Sequence, residues 1–106
     1  MVEQRTLFDD VERKHKMRVA FEKFHEENPK VYRLFKRFAF AAINTGHEHL
    51  SSEMVINRIR WETSVETRDE EYKINNNHKP FYARLFETDF PHHEGFFRKR
   101  TSAADE

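Results

Sequence analysis

Asn75, Asn76 and Asn77 stand in an unbroken run, followed by His78, Lys79 and, further on, Arg84. Asparagine is a poor helix-interior residue but a good helix cap, because its short amide competes for backbone partners. One cap uses one amide, so the run supplies more than capping needs. At the front of a groove-entering helix, an Asn amide can pair in two-bond fashion with N6 and N7 of adenine, and nearby cations can meet phosphate or guanine. The plain alternative is a polar cap whose amides bond local backbone. A second cationic set, Arg98, Lys99 and Arg100, follows Phe96-Phe97. In a strand, alternation would turn one ring inward and leave the cations partly outward, where a wing would meet a phosphate backbone. An ordinary solvated strand end has the same pattern.

Arg58, Arg60 and Trp61 form another candidate surface, since Arg58 and Trp61 are close enough in sequence to share a helix face. Trp more often completes a core edge than a binding site, so burial is expected for Trp61. Near the N-terminus, Gln4, Leu7 and Phe8 resemble the short peptide by which bacterial proteins dock on the replicative sliding clamp. A flexible tail ending in Leu-Phe can place two apolar anchors in a pocket while Gln makes a polar contact. Alternatively, Leu7 and Phe8 staple the first helix onto the core.

The seven histidines are densest at His47-Glu48-His49 and His92-His93. Zinc needs three or four ligands converging at about 2.0–2.2 Å, and sequence spacing alone supplies no partner for either cluster, so neither a metal nor a cofactor is expected. There is no Gly-rich phosphate loop, no Gly-x-Ser-x-Gly and no His-Glu-x-x-His. No carboxylate sits in the apolar context that would raise its pKa for acid–base work. The acidic cluster Glu66, Asp69, Glu70 and Glu71 would repel DNA unless it points away, and it suits a basic protein surface. These observations point to binding rather than catalysis. DNA is the first partner they suggest, and a host protein such as the sliding clamp is the alternative.

The elements that would position these residues come from a chain of 106 residues, within the usual size of one domain. It is 36% charged and 37% hydrophobic, a mixture compatible with disorder, but its aromatic fraction is 14%, with eleven Phe. Disordered chains are poor in large aromatics, so a Phe-dominated core under a charged surface is expected. Net charge is zero, which counts against a bulk electrostatic grip on nucleic acid. With no Cys, disulfides and zinc–thiolate sites are excluded. No apolar run approaches the roughly 20 residues that span a bilayer, and nothing near Met1 resembles a signal peptide. A cytoplasmic location is the expectation.

Residues 1–8 read as a flexible tail, 9–100 as a single domain and 101–106 as a frayed tail. Asp9 or Asp10 caps a first helix to about Glu27, with Met17, Ala20, Phe21 and Phe24 inward. Asn28 caps a second helix opened by Pro29. Its stripe is Val31, Leu34, Phe35, Phe38, Ala41 and Ala42, and Gly46 is its stop. Lys30, Arg33, Lys36 and Arg37 form its solvated face, and Phe40 falls off the stripe as a candidate dimer contact. Ser51 or Ser52 caps a third helix burying Val55, Ile56 and Ile59. Tyr72-Lys73-Ile74 could be a short strand. The Asn run opens a fourth helix with Phe81, Tyr82, Leu85 and Phe86 inward, and residues 96–100 read as a strand. This order suggests a mainly α domain with a small β-wing, resembling a winged helix-turn-helix.

Ile59-Arg60-Trp61, Tyr72-Lys73-Ile74-Asn75-Asn76-Asn77, Tyr82-Ala83-Arg84 and Gly95-Phe96-Phe97-Arg98 resemble blocks of a family of small uncharacterised proteins of phages and bacterial genomes. Phe24-His25, Asn28-Pro29 and Val31-Tyr32 resemble it too, so the resemblance covers roughly residues 20 to 100. It implies a phage or mobile-element setting and assigns no activity. The winged-helix expectation comes from element order, not from the family.

Overall fold

The computed structural model describes residues 7–63 and 74–97. These residues are mainly helical: α1 (Leu7–Glu27), α2 (Pro29–Asn44), α3 (Ser52–Trp61) and α4 (Lys79–Asp89), with 3-10 turns at Asn76–His78 and Pro91–His93. No described helix is long and apolar enough to cross a membrane.

α1 starts at Leu7, so Leu7 and Phe8 belong to a helix and not to a tail. Asp9 and Asp10 fall inside its first turn, where carboxylates oppose the positive end of the helix dipole. Met17, Phe21 and Phe24 face the core, but Ala20 is exposed. Asn28 holds the N-cap position of α2, but its side chain makes no capping hydrogen bond. Its side-chain amide instead donates to Phe24 O at 3.0 Å and its backbone N–H to the same carbonyl at 2.9 Å. The residue thus closes α1, while Pro29 opens α2 at a position whose N–H would have no helical partner.

α2 buries Val31, Tyr32, Leu34, Phe35 and Ala39. Its stripe is therefore rotated from expectation, with Ala41 exposed and Tyr32 and Ala39 taken in. At its end, His47 N–H reaches Ala42 O at 3.1 Å and Gly46 N–H reaches Ile43 O at 3.0 Å. This Schellman closure needs a left-handed residue, and Gly46 supplies it with φ +97°. A Cβ there would meet nothing within 4 Å, so Gly46→Ala tests conformation alone. Its expected cost is about 1–2 kcal/mol, read as a lower urea midpoint. An unchanged midpoint would contradict this account of the turn.

α3 is capped by Ser51, whose Oγ accepts from Glu53 N–H at 3.2 Å. It buries Val55, Ile56 and Ile59 as expected. The core between α2 and α4 is aromatic: Phe35, Tyr82, Phe86 and Phe97 are almost fully enclosed. Phe35 stacks on Tyr82 at 5.6 Å, and Phe97 stands edge-on to Phe86 at 5.5 Å. Phe21 brings α1 in, edge-on to Tyr82 at 4.8 Å and stacked on Phe81 at 5.1 Å. Phe40 is not an exposed dimer contact. It packs on Phe90 at 4.8 Å and Phe86 at 5.2 Å.

Among the described residues there is no strand, and the β-wing is not seen. The segment after Gly95 contributes an isolated parallel bridge between Phe97 and Leu50. Phe96 and Phe97 are both buried, whereas strand alternation would have turned only one inward. The buried Glu87 side chain accepts from Phe97 N–H at 3.2 Å, tying this segment to α4 rather than to a sheet partner. Tyr72, Lys73 and residues 98–106 lie outside the described residues.

Candidate interaction surface on the outer face of α3

The asparagine run is exposed, but part of it serves local structure. Asn75 Oδ1 accepts from Asn77 N–H at 2.8 Å, the expected cap. Asn76 Oδ1 accepts from Arg60 at 3.3 Å. The same guanidinium donates to Ile74 O at 2.5 Å and to Asn57 Oδ1 at 3.0 Å, so Arg60 clamps the approach to α4 onto α3. Lys79 is half-buried and lies 3.6 Å from Glu53. Arg84 is also half-buried. Arg98, Lys99, Arg100 and Gln4, with the acidic cluster at 66–71, lie outside the described residues.

His78 departs from expectation most clearly. It is buried rather than on a contact surface, with its ring 4.9 Å from Phe24 and 5.9 Å from Phe21. The 3-10 turn before α4 rotates it inward, so it helps dock α1. Its Nδ1 has no hydrogen-bond partner among the described residues. Burial lowers its pKa below the ordinary value of 6.5. The unfolded chain therefore takes up a proton first as pH falls. The stability tied to a neutral His78 is complete above pH 6.5 and is lost as pH drops toward the lowered folded value. Melting curves through this range should fall more steeply for the native chain than for His78→Leu. Parallel curves would contradict the assignment.

The third candidate set gives the clearest surface. Met54, Arg58 and Trp61 recur at i, i+4 and i+7 along α3 and so share one face, opposite Val55, Ile56 and Ile59. Met54 is 62% exposed and Trp61 53% exposed, so Trp61 does not complete a core edge. Arg58 reaches the ring of Phe38 on α2 at 5.3 Å, and Arg37 stands over the same ring at 5.7 Å. Arg58 also lies 3.3 Å from Glu62. Two helices thus hold two guanidinium groups beside a half-buried ring, next to an exposed indole and thioether. Met54, Phe38 and Arg37 were missed by sequence reasoning. The i, i+4, i+7 spacing was readable, but which polar face of α2 would meet α3 was not.

The two histidine clusters, distant in sequence, line one open groove of about 310 Å³. Leu50 N–H donates to Phe96 O at 3.0 Å, and His49 Nδ1 lies 3.3 Å from Gly95 O, joining the two loops. Among the described residues, no three His, Asp or Glu side chains converge closely enough to hold a metal ion.

Comparisons of the chain with protein-family models, with curated proteins and with solved structures found no match.

Proposed function

We propose that the protein is a small interaction module that binds another protein through the outer face of α3 and does not catalyse a reaction. The observation that carries this reading is the exposure of Trp61 and Met54 on one face, with Arg58 between them. Aromatic residues, Met and Arg are enriched at protein interfaces, and Trp and Arg supply much of their binding energy. Arg37 and Arg58 suit a partner with acidic groups around an apolar pocket. The family resemblance suggests a phage or mobile-element accessory protein acting on a host factor in the cytoplasm.

Capture from lysate with the native chain, Trp61→Ala and Arg58→Ala as baits tests the proposal. A discrete protein retained by the native chain, resistant to nuclease and lost with both variants is the expected result. Retention that is insensitive to both variants, or released by nuclease, would overturn it.

The second reading is DNA binding of winged-helix type, favoured by the exposure of Asn76 and Asn77 beside Arg60. It requires Arg98, Lys99 and Arg100 to join that surface. Fluorescence polarisation with duplex and single-stranded DNA discriminates: this reading expects affinity that falls steeply with salt and weakens in Asn76→Ala and Asn77→Ala. Docking on the sliding clamp through Gln4, Leu7 and Phe8 has less support, because Leu7 and Phe8 are wound into α1 rather than held in a loose tail.

A further inference from the structure

α1 carries two apolar faces, and only one meets the core. Met17, Phe21 and Phe24 point inward. Phe8, Val11 and Val19 are 74%, 54% and 48% exposed. With the exposed His15 they fall within an arc of about 80° at 3.6 residues per turn. Met17 is the first residue of α1 packed against the core, and the exposed arc begins before it, at Phe8.

The charges along this part of α1 suggest what covers the exposed arc. Asp9, Asp10 and Glu12 precede Lys14, Lys16 and Arg18. Turned end to end, the same stretch presents acid opposite base. From this geometry we infer that α1 pairs antiparallel with α1 of a second copy of this chain. Phe8 then opposes the partner copy's Val19, and Val11 opposes its His15, about a two-fold axis passing between Arg13 and Lys14. On one flank Glu12 faces the other copy's Lys16. Parallel pairing in register would instead set like charges at equal heights. Glu12 already lies 3.6 Å from Lys16 of its own helix, with both side chains well exposed. Exposed pairs of this kind contribute little, so sharing them with a second helix costs little. This surface is separate from the outer face of α3, and the two proposals stand independently.

Sedimentation equilibrium across a wide concentration range tests the inference, with circular dichroism confirming that each variant folds. The native chain should rise toward twice its monomer mass, and Val11→Glu should remain monomeric. Glu12→Lys alone and Lys16→Glu alone should each associate at least tenfold more weakly. Mixing those two single variants should restore association, because each supplies the charge the other lacks across the pair. Each variant still carries like charges at positions 12 and 16 of its own helix, so restored intrahelical pairing cannot explain recovery. A native chain that stays monomeric, a Val11→Glu chain that associates normally, or a mixture that fails to recover would overturn the antiparallel pair.

Discussion

Phe86→Ala is expected to lower the free energy of unfolding by about 3–5 kcal/mol, the usual cost of emptying a buried aromatic site. The ring is fully enclosed and lies where three parts of the chain meet. It contacts Phe35 of α2 at 6.3 Å, Phe90 just beyond α4 at 5.0 Å and Phe97 of the bridged segment at 5.5 Å. These neighbours are rigid rings from separate elements, so they cannot easily collapse into the space. Domains are typically stable by only about 5–15 kcal/mol, so this one change should remove a large share of the total. Thr88→Ala changes an exposed side chain on α4 and should stay within about 0.5 kcal/mol of the native chain, as surface substitutions usually do. Urea titrations of the two variants side by side make the check. Equal midpoints would mean that Phe86 does not hold the core together.

Trp61→Ala should have the opposite profile, leaving the fold in place while removing the binding surface. Its indole is 53% exposed at the end of α3, whose inward residues are untouched by the change. A stability loss well below that of Phe86→Ala is expected, because about half of the side chain already lies in solvent. For partner binding, truncating a central interface aromatic costs about 2 kcal/mol or more, which is roughly a 30-fold loss of affinity. Arg58→Ala should weaken binding in the same direction, because Arg58 stands between Met54 and Trp61 and against Phe38. Titration calorimetry with the captured partner reads the affinity, and a melt reads the stability. A Trp61→Ala chain that binds normally, or that unfolds, would remove the basis for the α3 surface.

The sequence made the helices legible where periodicity and punctuation agreed. Pro29, Gly46 and Ser51 mark real boundaries, and the inward residues of α3 follow directly from their spacing. It misled where a residue had two physically sound roles. Asn28 stands at the N-cap of α2, yet its side-chain amide closes the preceding helix instead of capping the following one. His78 sits in a polar run that reads as surface, but one 3-10 turn rotates it between Phe21 and Phe24. Phe96-Phe97 suggested alternation, yet both rings enter the core because the segment pairs at one bridge only. Tryptophan in general favours burial, but Trp61 is exposed. Its exposure depends on where α2 and α4 run past α3, which no local pattern encodes. The joining of the two histidine clusters in one groove was hidden for the same reason.

The most direct test of the central claim is site-specific photo-crosslinking in cells that express the protein. A photoreactive residue replaces Met54 on the α3 face, and in a second chain it replaces the exposed Thr88 on α4. The account predicts a covalent adduct with one discrete protein from position 54, absent from position 88 and abolished when Trp61→Ala is added. No adduct at position 54, adducts with nucleic acid there, or the same adducts from both positions would contradict it.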